Sequence, residues 1–103
     1  MKVYHYSNVK FDKFDSEKSD GFWFTSISPD QEEMLEEIGA AGYKYVAIVE
    51  IEINDPIFNG KNSDVAEQLE ENEADGIINK YDGFTDYAVV NNDQIKIIEW
   101  LNA

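Results

Sequence analysis

Alternation at period two dominates the chain. From Tyr43 to Ile53, Tyr43, Tyr45, Ala47, Val49, Ile51 and Ile53 share one face. Val46, Ile48, Glu50 and Glu52 take the other, which predicts a long strand that leaves the core at its far end. Asn54-Asp55-Pro56 stops it. Shorter strands are predicted at Lys2–His5, at Gly21–Thr25 with its aromatic run Phe22-Trp23-Phe24, at Gly76–Ile78, at Tyr87–Val90 and at Gln94–Leu101. Asp82-Gly83 reads as a turn. Between Ser7 and Asp20 the pattern breaks into a polar loop pinned by Phe11 and Phe14.

Two segments switch to helical spacing. Ser28-Pro29-Asp30-Gln31 is a helix start: Ser28 caps, Pro29 suits the first helical position and Gln31 completes a capping box. Met34, Leu35, Ile38 and Ala41 then form the packed face, and Gly42 ends the helix. Ser63 is expected to cap a second helix running to about Glu73 on Val65, Ala66 and Leu69. Strands outnumber helices and the two are mixed along the chain, which predicts an α+β fold. Val49, Ile51, Val89, Ile95 and Ile97 are its expected core.

Composition narrows the chemistry. The 103 residues hold neither a repeat nor a Pro/Gly-rich linker, so a single domain over 1–103 is expected. With no Cys and one His, thiol catalysis and Cys- or His-cluster metal sites are excluded. The chain opens without the apolar run of a signal peptide, and no stretch reaches membrane length. The expectation is a cytoplasmic protein without membrane contact. Eight Lys against 22 acidic residues give a net charge of −14, which repels phosphate backbones and favours a basic protein partner over nucleic acid. The acidity concentrates in two clusters: Asp30, Glu32, Glu33, Glu36 and Glu37, then Asp64, Glu67, Glu70, Glu71, Glu73 and Asp75. A solvated helix face explains each one; a surface that imitates nucleic acid is the sharper reading.

His5, the aromatic strand around Trp23, and the polar groups at Asp86 and Gln94 remain as candidate chemistry. Singly, each is explained by packing. In order, they resemble the ADP-ribosyltransferase superfamily, in the branch with a His–Tyr–Glu signature. Val3-Tyr4-His5-Tyr6-Ser7 is similar to its first motif, a strand ending in His-Gly-Ser or His-Gly-Thr. Gly21-Phe22-Trp23-Phe24-Thr25-Ser26 is similar to the second, Gly-x-Tyr-Phe. Asp86-Tyr87-Ala88-Val89-Val90 through Gln94-Ile95 resembles the third, in which Glu-Tyr-x-Val leads through a turn to Gln-Ile. Three positions depart: Tyr6 stands at the family Gly, Trp23 at the stacking Tyr, and Asp86 at the catalytic Glu, one methylene shorter.

The resemblance implies a split, two-sheet fold with two short acidic helices, and NAD+ as substrate without a metal. It implies that His5 holds the adenosine-side ribose with support from Ser7, and that Trp23 stacks on nicotinamide. Asp86 would stabilise the charge that develops as the glycosidic bond breaks. Tyr6, Ser26 and Gln94 complete the implied NAD+ contacts, and ADP-ribose passes to a protein target. Compact bacterial and phage members are the nearest in form, so a phage or toxin effector acting in the host cytoplasm is one setting. The alternative is a non-catalytic acidic inhibitor on the same fold, a nucleic-acid mimic of the anti-CRISPR or anti-defence kind.

Overall fold

The structure, a computed structural model, describes residues 1–15 and 20–103. Part of the expected Ser7–Asp20 loop, residues 16–19, lies outside that description. The elements in order are β1 (Lys2–Ser7), β2 (Phe22–Thr25), α1 (Glu32–Glu37), β3 (Tyr45–Ile51), β4 (Pro56–Phe58), α2 (Val65–Glu71), β5 (Gly76–Tyr81), β6 (Phe84–Val89) and β7 (Ile95–Asn102). A single turn of 3-10 helix, Asn92–Gln94, leads into β7. This is a mixed α+β fold with one seven-stranded sheet, in the order β4-β5-β6-β2-β1-β3-β7. Neighbours are antiparallel except β4 and β5, which run parallel.

The two sheets expected from the resemblance are therefore one hydrogen-bonded sheet with a weak seam. β1 and β3 pair over six residues and β2 and β6 over four, but β1 and β2 meet at the single pair Tyr4↔Thr25. Beyond that pair β1 and β2 are not laddered, and the sheet consists of two halves joined by one ladder pair.

Because paired residues project to the same side, the register sorts the side chains into two faces. One face carries Val3, His5, Phe22, Phe24, Ala47, Val49, Ile51 and Val89. All but His5 are buried there in one cluster with Phe14, and Phe11, Ile95, Ile97 and Trp100 pack against it. Among the described residues, no helix packs on this cluster. The loop after β1 does: the Phe11 and Phe14 rings meet edge to face at 4.8 Å, and Trp100 Nε1 donates to the Phe11 carbonyl at 3.1 Å. The aromatic load thus stands in for a covering helix. The other face carries Tyr4, Tyr6, Trp23, Thr25, Ile77, Asp86 and Ala88. There α2 buries Val65 and Leu69 against Ile77 and Ala88, with Trp23 and Ala74 beside them.

Of the expected core, Val49, Ile51 and Val89 are buried, whereas Ile95 and Ile97 are half-buried because β7 is an edge strand. In α1, Leu35 is buried, Met34 half-buried and Ile38 exposed. That helix starts at Glu32, later than Pro29, because Ser28 makes a turn instead of a cap. Its hydroxyl donates to the Asp30 carboxylate, and only half the capping box forms, with Ser28 N donating to Gln31 Oε1 at 3.0 Å. Ser63 does not cap α2 either. The position before Val65 is Asp64, in the left-handed region at φ 54° with no side-chain cap bond, and the Val65 amide donates to Asp20 Oδ2 at 2.8 Å. A carboxylate from the loop before β2 therefore caps a helix distant in sequence. Removing a cap of this kind costs about 1 kcal/mol, so Asp20→Ala should lower Tm by roughly 4–8 °C in a domain of this size. A thermal melt beside an Asp20→Asn control, which keeps an acceptor, checks it.

β4 is the element with no counterpart among the expectations. Its three residues pair in parallel with Gly76–Ile78, and Pro56 sits at the first position of an edge strand, where its missing N–H costs nothing. The Asp82-Gly83 turn forms as expected, with Gly83 at φ 92°, a conformation that glycine adopts without strain.

Candidate functional site

The three motif strands are neighbours: β6 lies beside β2, and β2 beside β1. Tyr4, Thr25 and Asp86 form one row across them, since Tyr4 pairs with Thr25 and Thr25 with Asp86. Trp23 lies on the same face, two residues along β2. Asp86 is half-buried, and its carboxylate takes a hydrogen bond from Thr25. Burial raises its pKa above the usual carboxylate value, and the Thr25 bond opposes part of that rise. Thr25 is a residue that motif reading passes over; its signal is its place two residues after Trp23 on a strand that pairs with the third motif.

His5 occupies the seam. By register its side chain belongs to the opposite face from Asp86, and its ring packs against Phe14 at 5.0 Å, Phe24 at 5.6 Å and Phe11 at 5.9 Å. Its Nδ1 lies 2.8 Å from the Trp23 carbonyl oxygen. A carbonyl only accepts, so Nδ1 carries the proton, and in the neutral ring Nε2 is the acceptor. The imidazole thereby bridges β1 and β2 where the ladder has stopped. Burial lowers its pKa, and the Trp23 bond acts against that shift. A depressed histidine pKa contributes stability above the unfolded value of 6.5 that is lost as pH falls through the folded value. His5→Gln, which keeps a donor for Trp23, should remove this component: the stability difference between parent and variant should change on acidification below pH 6.5. Paired melts of the two proteins from neutral to acid pH measure it, and a constant difference would contradict it.

Beside His5 opens a cleft of about 620 Å³, lined by His5, Val9, Phe11, Lys13, Phe14, Asp15, Gly21, Phe22 and Trp23. It is largely apolar and joins the first two motifs. The His5 ring thus meets the Trp23 backbone, while the Trp23 side chain shares a face with Asp86, and both project from the side of the sheet opposite His5. A ligand touching His5 and Asp86 has to cross the seam.

The remaining candidates hold structural bonds. The Tyr6 side chain turns toward α1 and its hydroxyl donates to the Ile27 carbonyl at 2.8 Å, so its bulk is directed away from the His5 cleft. Burial first, then the neighbouring Tyr4 and Asp30, push its pKa up to about 12. The Ser7 hydroxyl donates to the Val9 carbonyl at 2.8 Å and shapes the exit of β1. Ser26 Oγ accepts from the Thr85 amide at 2.9 Å, while Ser26 N donates to the Thr85 carbonyl, which closes the end of β2 on β6. Gln94 spends its amide N–H groups on the Glu52 and Asp75 carbonyls at 2.9 and 2.7 Å. It ties the loops before β5 and after β3, and the NAD+-contact role implied for it has no such donor to use.

Among the described residues, no group of three His, Asp or Glu side chains is placed to hold a metal ion, and no helix is long and apolar enough to cross a membrane. The acidic side chains Glu32, Glu33, Glu36 and Glu37 of α1, and Glu67, Glu70 and Glu71 of α2, are all exposed. Neither helix has a basic residue in its last turn. No protein-family model, curated protein or solved structure matches this chain.

Proposed function

We propose that the chain is an ADP-ribosyltransferase-like protein that binds NAD+ across the β1–β2 seam and transfers ADP-ribose to a protein. The observation that carries this reading is the adjacency of the three motif strands, with the His5 ring bonded to the Trp23 backbone at the point where β1 and β2 part. Neighbouring central strands are the placement that three motifs of one site require.

The charges give the ligand a direction. The nicotinamide end of NAD+ is cationic and suits the Asp86 face, which the two acidic helices flank. The pyrophosphate is anionic and falls on the opposite side of the seam, where Lys13 lines the apolar cleft together with Asp15. Neutral His5, with Nε2 as acceptor, takes a ribose hydroxyl. Trp23 supplies a flat π surface at the crossing. As the bond between nicotinamide nitrogen and ribose C1′ breaks, its electron pair leaves with nicotinamide and positive charge builds on the ribose. The Asp86 carboxylate stabilises that charge more in the transition state than before it, which is the condition for catalysis. The acceptor nucleophile then attacks C1′.

Binding of NAD+ to the folded chain stabilises it by mass action, by about 2.7 kcal/mol at a concentration one hundred times Kd. Thermal melts over a series of NAD+ concentrations should show Tm rising, with the rise lost in Trp23→Ala. An unchanged Tm at millimolar NAD+ overturns the reading. The second reading, an acidic inhibitor that occupies a basic groove of its target, is favoured by one observation: the exposed, unneutralised carboxylates of α1 and α2. It requires neither NAD+ nor Asp86.

A further inference from the structure

β7 is the last strand of the sheet, and among the described residues nothing pairs with its outer edge. An unpaired edge eight residues long is a template for another strand. Its register holds an irregularity: Val49 pairs with Ile97 but Ile48 pairs with Glu99, so Ile98 is an extra residue, and it is 52% exposed. The bulge has a consequence for charge. Lys96 lies opposite Glu50 and Glu99 opposite Ile48, and alternate residues of β3 share a face, so Lys96 and Glu99 project from the same side. In a regular strand, residues three apart would face opposite sides.

The backbone agrees with the side chains. Glu52 N donates to the Gln94 carbonyl, and Ala103 N donates to the Lys44 carbonyl. With the register, these bonds turn Gln94, Lys96, Glu99 and Leu101 inward to β3, and leave the backbone groups of Ile95, Ile97 and Trp100 pointing outward. We infer that β7 pairs antiparallel with β7 of a second copy about a two-fold axis between Ile97 and Ile98. That register sets Ile95 opposite Trp100 of the second copy with outward backbone groups on both sides. It also sets Lys96 opposite Glu99 twice, on one face, and Ile97 opposite the exposed Ile98.

Two further observations favour a second copy as the occupant. Neither Lys96 nor Glu99 has an ion-pair partner among the described residues, and Glu50, across the ladder from Lys96, is already held by the N-terminal amino group at 2.6 Å. The net charge of −14 on each copy opposes association, but at about 0.15 M salt it is screened beyond roughly 8 Å, while the Lys96–Glu99 contacts fall inside that distance. The opposed charges also select this register, since a one-residue slip puts the pairs on different faces.

Sedimentation equilibrium of the whole chain at protein concentrations up to about 1 mM reads the result. A concentration-dependent dimer is expected. Lys96→Glu and Glu99→Lys should each weaken it roughly tenfold or more, because each creates two like-charge pairs. The double variant Lys96→Glu with Glu99→Lys should restore it, because the opposed pairs return with their signs exchanged. If either charge reversal disturbs folding, Ile98→Asp on the exposed bulge should also abolish the dimer. A chain that stays monomeric throughout, or a dimer indifferent to both single reversals, overturns the inference.

Discussion

Asp86→Asn should lower ADP-ribosyl transfer by about 10²–10³ and raise Tm in the same protein. The rate loss follows because removing one group that stabilises transition-state charge typically costs that much. An amide fits the carboxylate's place and accepts the Thr25 hydrogen bond, but supplies no full negative charge. The Tm rise follows from the sign of the pKa shift. Burial raises the folded pKa of Asp86 above the ordinary aspartate value. The stability this carboxyl contributes is therefore present below the unfolded value and is lost as pH rises through the folded one. At neutral pH the ionised side chain is a cost to the fold, and a neutral amide removes it. A side chain that destabilises its own fold in the charged state that the proposed chemistry needs fits the pattern of a functional residue. Transfer assays with NAD+, paired with melts of parent and variant at pH 7, check both halves. Full activity in Asp86→Asn would end the catalytic reading, whatever the melts show.

The sheet was legible in the sequence wherever side chains alternate. Tyr45–Ile51 carries the pattern in full, and its paired strands β1 and β7 follow from β-branched and aromatic content. What escaped the pattern depends on partners remote in sequence. The α2 amide finds its cap in Asp20, 45 residues away, so no local spacing predicts it, and the expectation fell on Ser63. β4 has too few residues to show a period and exists because Gly76–Ile78 offers it an edge. The motif marks Gln94 as a ligand contact, and its side-chain N–H groups also bond the Glu52 and Asp75 carbonyls, which lie far from it in sequence. At the site, the resemblance implies one pocket faced by His5, Trp23 and Asp86. Their strands are adjacent, but His5 and Asp86 face opposite sides. That depends on parity in the register, which the single pair Tyr4↔Thr25 fixes and which one residue of slip would reverse.

Replacing Glu32, Glu33, Glu36 and Glu37 together by Lys should cut transfer to a basic protein acceptor by about 10–10³ while leaving NAD+ affinity unchanged. Electrostatic steering of that size operates when a concentrated field of one sign meets an opposite one. These four side chains are exposed on a helix that buries only Leu35, so they define the surface an acceptor meets. Leu35 and Tyr6 line a common cavity, which places this helix on the Tyr6 and Asp86 side of the sheet. An acceptor drawn to α1 is thereby drawn toward the face on which the ribose would react. Glu32 and Glu33 also lie in the first turn, where carboxylates suit the helix dipole, so each Lys there costs about 0.3–1 kcal/mol of local stability. The set Glu→Gln at the same four positions separates the two effects: it removes the field without adding cations and should give an intermediate loss. The loss should also shrink as salt rises, because screening weakens both the attraction in the parent and the repulsion in the variant. Steady-state assays with varied acceptor and fixed NAD+, repeated at two ionic strengths, supply the numbers. If the Lys variant loses all biological effect while Asp86→Asn keeps it, the acidic surface is the function and the NAD+ site is not. If acceptor kinetics are untouched by both sets, the acceptor is engaged elsewhere on the molecule.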